Sequence, residues 1–119
     1  MRRVLLLLFI IALSAGPLLS ADELQIDSYE APTHIGQSVA VSGLVVAVFV
    51  SKAGNVFINF GDKHPNQTFT GWIPAGTPLA SDPSLQELQV KTDKITGTIK
   101  LYRWKPEIKI TSKDQIVSE

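Results

Sequence analysis

Apolar and polar residues alternate in several short runs along this chain. The period is two, as in strands with one buried face. The first run begins at Gln37, with Val39 and Val41 on one face and Ser38, Ala40 and Ser42 on the other, and from Leu44 to Val50 it becomes wholly apolar. Gly43 stands between the two textures. A glycine inside a strand marks a bulge or a bend, so one long first strand bent at its centre is predicted. Ser51 to Asn55, SKAGN, reads as a hairpin loop with Gly54 available for positive φ. In the second strand, VFINF, residues Val56, Ile58 and Phe60 share one face, and Phe57 and Asn59 the other.

A loop, GDKHPNQ, leads to a third strand over Phe69 to Ile73, FTGWI, which Pro74, Gly76 and Pro78 terminate. Ser81 to Val90 then carries the helical signal: Ser81 or Asp82 as cap, Pro83 in the first turn, and Leu85 and Leu88 three apart on one side. A short helix of about two turns is predicted there. Ile95, Gly97, Ile99 and Leu101 alternate with Thr96, Thr98, Lys100 and Tyr102 as a fourth strand, RWKP (Arg103 to Pro106) turns the chain, and Ile108 and Ile110 mark a fifth. Ile116 is the one apolar anchor expected in the tail from Ser112 to Glu119.

Two segments precede this pattern. Asp22 to Gly36 is polar and punctuated by Pro32 and Gly36, and is read as an extended arm or cap with room for one short helix or strand. Met1 to Ala21 has the order of a secretory signal peptide: Arg2 and Arg3, an apolar run from Val4 to Leu13, then SAGPLLSA before the first acids. Cleavage is expected after Ala21, which makes the product periplasmic or secreted. An uncleaved anchor is the rival, because Val4 to Ala21 runs 18 residues without a charge and a membrane span needs about 20. Gly16 and Pro17 interrupt that run. The expected organisation is therefore a signal peptide over 1–21, an arm over 22–36 and one domain over 37–119.

Composition narrows the chemistry. There is no cysteine, so neither a disulfide framework nor a cysteine-based zinc site is available, and an apolar core must hold the domain. The whole chain balances 11 basic against 11 acidic residues; without Arg2 and Arg3 the remainder has a net charge of minus two. Charge is uneven, however. Lys91 to Lys113 holds seven basic residues against Asp93 and Glu107, whereas Asp22 to Asp62 holds five acids against Lys52 alone. A basic end of this kind is either a polyanion-binding face or a set of lysine-protected strand edges.

Catalytic and metal signatures are missing. His34 and His64 are the two histidines, too few for a zinc site and without paired spacing; both are expected to be exposed loop residues. No serine sits in a nucleophile elbow, nothing selects a carboxylate pair, and no glycine-rich phosphate loop is present. A non-enzymatic protein with no catalytic residue, metal or cofactor is expected. Asn66-Gln67-Thr68 matches the glycosylation pattern, which a bacterial chain would leave unused.

Three strands, a short helix and two strands form the order of an OB-fold, a five-stranded Greek-key barrel with a helix between its third and fourth strands. That all-β architecture is the fold expected here. The motifs go further. Gly43 in the first strand, the Gly54 hairpin before VFINFG, Pro65-Asn66 with Phe69 and Thr70, the Gly97 strand and the closing YRWKPEI together resemble a group of small bacterial OB-fold domains classed as nucleic-acid-binding, of the anticodon-binding-like type. The resemblance covers Ser38 to Ile116.

It implies oligonucleotide binding on the face of the second and third strands with neighbouring loops. The implied ligand residues are Phe57 and Asn59 on the second strand, Thr70 and Trp72 on the third, Lys52 in the first hairpin, and Tyr102, Arg103, Trp104 and Lys105 near the last. Aromatic rings beside cations suit sequence-tolerant single-strand binding. Two partner classes follow for an expected monomer: single-stranded nucleic acid or another polyanion, or else an envelope protein, a peptide or a small cationic ligand, which the acidic arm from Asp22 to Glu30 would favour. The membrane enters only if the N-terminal segment stays attached.

Overall fold

A computed structural model describes residues 23–118. The expected signal peptide lies outside the described residues. The described residues form eight strands: β1 (Gln25–Asp27), β2 (Ser38–Val50), β3 (Val56–Phe60), β4 (Phe69–Ile73), β5 (Thr92–Thr98), β6 (Lys100–Tyr102), β7 (Lys105–Lys109) and β8 (Ile116–Ser118). They hydrogen-bond in the order β6-β7-β4-β3-β2-β5-β8, with β1 added beside β2. The expected five-stranded closed barrel is therefore corrected to an open sheet of eight strands. Its central five, β2, β3, β4, β5 and β7, keep the Greek-key order, with β7 parallel to β4 and β5 antiparallel to β2.

β2 bends as its central glycine predicts. Up to Leu44 it pairs with β5, and from Val45 with β3, with a register shift between Val45 and Ala47. Close approach is the reason for glycine: a Cβ on Gly43 would stand 2.8 Å from Ser28 Oγ and 3.3 Å from a Phe60 ring carbon. The arm thereby joins the domain, because β1 runs parallel to Ala40–Ser42 and Ile26, Ser28 and Ala31 are buried. Asp27 caps the following 3-10 turn, Ser28–Thr33, in a reciprocal bond pattern with Glu30.

The expected helix over Ser81–Val90 is replaced by two 3-10 turns, Leu79–Ser81 and Pro83–Leu88. Three residues per turn eclipse positions three apart, so Leu85 and Leu88 reach the core together, at 5% and 9% exposure. Asp82 caps the second turn, accepting from the Ser84 N–H at 2.9 Å, and binds Lys113 Nζ at 3.1 Å. The Ser84 hydroxyl, donating to Asp82 Oδ1 at 2.7 Å, and then these two bonds hold its carboxyl down at about 2.

The expected fourth strand also divides. Ile99 is buried between β5 and β6, exchanging backbone bonds with Gly36 and Gln37, whereas Leu101 is exposed because β6 has left the sheet's core to form a hairpin with β7. No ladder joins β5 to β7 among the described residues. A side chain spans that seam instead: Gln115 Nε2 donates to Thr96 O on β5 at 2.9 Å and to Lys109 O on β7 at 3.1 Å, and Gln115 Oε1 accepts from the Thr111 and Ser112 N–H groups. Inside lie Ile58, Ile73, Ile95, Ile108 and Ile110, all fully buried, around Phe60 and Phe69, whose rings meet edge to face at 5.3 Å.

Candidate functional site

Strand period and ladder register together build the outer face of the sheet. Val56, Ile58 and Phe60 turn into the core, so Phe57 and Asn59 turn out. The ladders place Phe49 opposite Phe57, Ala47 opposite Asn59, Phe57 opposite Trp72, Asn59 opposite Thr70, and Thr70 opposite Glu107. Phe49 and Phe57 stack with centroids 6.4 Å apart. Asn59 and Thr70 are 5% and 4% exposed although they face outward, and Thr70 Oγ1 donates to Asn59 Oδ1 at 3.1 Å.

A groove of about 600 Å³ runs above them between two walls. One wall is the β3–β4 loop, contributing Lys63, His64, Pro65 and Gln67; the other is the β6–β7 hairpin, contributing Tyr102, Arg103 and Lys105. In the loop, Gly61 takes φ 84° and the Asn66 N–H bonds back to Lys63 O at 2.7 Å, closing a turn around His64-Pro65. A side chain at Gly61 would collide with Thr68, whose hydroxyl lies 3.1 Å from Phe60 O and 3.2 Å from Ser28 Oγ. Asp62 and His64 themselves are exposed.

The structure gathers six of the nine sequence-nominated residues in this groove: Phe57, Asn59, Thr70, Tyr102, Arg103 and Lys105. Three stand elsewhere. Lys52 is exposed in the hairpin between β2 and β3. Trp72 is half-buried, its Nε1–H donating to Asn55 Oδ1 at 3.1 Å with the Lys109 ammonium 5.5 Å from its ring centre. Trp104 is 88% exposed at the hairpin tip, where it and Arg103 both take positive φ, 69° and 51°.

Other lining residues escape a sequence reading. Phe49 and Ala47 sit in an apolar run on both faces of β2, so parity marks neither as outward. Lys63 and Gln67 belong to a loop whose polar composition looks like any turn. Glu107 is visible only as one of several charges alternating along the fifth strand.

Charge at the groove is not that of the chain. Lys63, Arg103 and Lys105 line it against one carboxylate, Glu107. Burial pushes that carboxyl above its ordinary value. Arg103 also lies over the Tyr102 ring, 5.4 Å from its centre, a cation–π placement that braces the wall. Among the described residues no three His, Asp or Glu side chains converge to hold a metal.

Solved structures with the same strand arrangement decide the fold. The OBody AM1L10, bound to hen egg-white lysozyme, superposes with a TM-score of 0.58 at 18% identity, over 89% of this chain and 98% of the OBody. The chain has an OB-fold. A second OBody, AM3L09, also bound to hen egg-white lysozyme, superposes on this OB-fold with a TM-score of 0.55 at 20% identity, over 78% of this chain and 92% of its own. A protein from Leishmania major Friedlin described as an aspartyl-tRNA synthetase gives 0.54 at 11% identity over 82% of this chain, which spans 21% of the length of that synthetase. No protein-family model matches the sequence, and none of the curated proteins does.

Proposed function

We propose that this chain is an exported, non-enzymatic OB-fold module, a monomer that binds single-stranded nucleic acid or another polyanion in the groove over β3 and β4. One observation carries the reading: Phe49, Phe57 and Tyr102 supply aromatic surface between walls that bear Lys63, Arg103 and Lys105. Stacked bases need the first and phosphates the second. The slightly negative charge of the chain is no obstacle, because the field that a ligand meets is the local one. Export to a periplasmic or extracellular location rests on the pattern of Met1 to Ala21.

Anisotropy of a labelled single strand, titrated with the full chain across a salt series, tests this. Three phosphate contacts give a log–log salt slope of about minus two, since each contact on a single strand contributes about 0.7. Absent binding at low ionic strength, or affinity indifferent to salt, overturns the proposal.

A second reading has its own observation. Two of the similar OB-folds are bound to a protein, lysozyme, and here Phe49 in the groove and its chain neighbour Val50 are 57% and 49% exposed. An envelope protein or peptide is the alternative partner. A pull-down that keeps its partner after nuclease treatment, from a preparation in which single strands fail to bind, would favour it.

A further inference from the structure

We propose that the tip of the β6–β7 hairpin is a membrane-surface contact: Trp104 and Leu101 enter the interface of an anionic bilayer, and Lys100, Arg103 and Lys105 attract its headgroups. The contact lies outside the groove floor and does not depend on what the groove binds. Its origin is a ring in an unusual place. Trp104 is 88% exposed on a turn where it and Arg103 both take positive φ. Residues with a Cβ are uncommon in that backbone region, and such conformations persist where function uses them. Here the turn puts an indole at the end of the hairpin, clear of both strands.

Leu101 adds apolar surface on the far side. The hairpin pairs Lys100 with Glu107, Leu101 with Pro106 and Tyr102 with Lys105, and Tyr102, Lys105 and Glu107 line the groove. Alternation along the strand therefore turns Leu101 to the opposite face, where it is 49% exposed.

The charge complements an anionic surface. Lys100 to Pro106 holds three cations and no acid, and the next carboxylate along the chain, Glu107, lines the groove. Cations within a Debye length of anionic lipid are drawn to it. Indole favours the headgroup level, where its apolar body and its N–H both find partners. Nucleic acid suits the tip less well, because bases stack where a groove also tracks their phosphates, and Trp104 and Leu101 are outside the groove. An exposed leucine offers nothing to a phosphate. A projecting tip, by contrast, enters a bilayer whose interface closes around it.

The chain has two tryptophans, Trp72 and Trp104, so Trp72→Phe in the full chain leaves Trp104 as the reporter. Vesicles of phosphatidylcholine, with or without phosphatidylglycerol, carry bromine on their acyl chains, a quencher that acts on contact. Trp104 emission should be quenched severalfold more in the phosphatidylglycerol vesicles, and added salt should remove the excess. Arg103→Gln should lower the ratio of quenched to unquenched emission about fivefold, the worth of one cation near such a surface. In the otherwise natural chain, Trp104→Phe should abolish quenching, because Trp72 is half-buried and bonded to Asn55; this comparison stands even if Trp72→Phe fails to fold.

Trp104 that stays unquenched on vesicles to which the chain binds overturns the proposal, since the apolar segment from Val4 then accounts for the binding. Equal quenching in neutral and anionic vesicles overturns it too, because the cations then recognise nothing. Emission that responds to a single-stranded oligonucleotide and not to vesicles puts the tip in the nucleic-acid path, with the same consequence.

Discussion

The floor of the groove and the tip of the β6–β7 hairpin carry the same chemistry, an aromatic ring beside cations, on opposite mechanical footings. Phe57 is fixed by ladders on both sides, opposite Phe49 and Trp72, and its direction follows from the pleat. Trp104 occupies a two-residue turn in which both central residues have positive φ, the arrangement that favours Asn-Gly. Backbone register turns the first ring into the groove. Turn geometry sends the second into solvent, outside the groove that Tyr102, Arg103 and Lys105 line. Different backbone constraints thus place two aromatic rings near cations in unlike positions.

The largest expected effect is on the floor. Phe57→Ala should weaken single-strand binding by about 1–3 kcal/mol, the worth of one stacked base, whereas Trp104→Ala should leave anisotropy titrations unchanged. An equal loss in the two variants would break the comparison and put Trp104 in the ligand path.

Stability should respond in the opposite sense. Left-handed backbone costs a residue with a Cβ about 1–2 kcal/mol relative to glycine, and Trp104 packs on little. Trp104→Gly should therefore raise stability by about 1 kcal/mol in urea unfolding, without altering ligand affinity. A fall in stability would show that the tip tryptophan contributes packing.

Gln67 sharpens the contrast further. Gln67→Met removes a buried acceptor with no partner, so the chain should gain about 1 kcal/mol. Thermal melts of the two proteins compare directly, and a lower melting temperature for Gln67→Met would mean that the glutamine is satisfied in solution.

The smallest effect concerns pH. Burial raises the Glu107 carboxyl, so the folded chain holds that proton more tightly than the unfolded one. Its contribution favours folding at acid pH and is lost as pH rises from the free carboxylate value through the raised one. Protonation also removes the groove's carboxylate while Lys63, Arg103 and Lys105 stay charged, so single-strand affinity should rise severalfold as pH falls through that window. His64 lines the same groove, and a His64→Gln background isolates the Glu107 effect. Affinity that is flat across the window, with Glu107→Gln equally flat, would remove the carboxylate from the binding field.

Much of the face was legible in the chain. Alternation in VFINF assigns Phe57 and Asn59 outward without reference to any partner, because a strand's pleat has a period of two whatever it pairs with. Gly43 marks the bend of β2 for a similarly local reason, although the object it admits, Ser28 of the arm, lies far back along the sequence. The capping pattern at Asp82 and Pro83 located a turn but not its pitch. Leucines three apart suit a 3-10 turn as well as a helix, and packing against the core decided between them.

Sequence alone determined the inward and outward faces of β3 and the cation-rich end, since these follow from local pattern and composition. Tertiary structure decided what closes and what converges. Gln115 bridges the seam between β5 and β7 by bonds to Thr96 and Lys109, and Gln67 turns inward beneath an exposed loop. Both are single amides whose role depends on backbone atoms or surfaces many residues away, and hydrogen bonds between distant segments leave no periodic trace in the sequence.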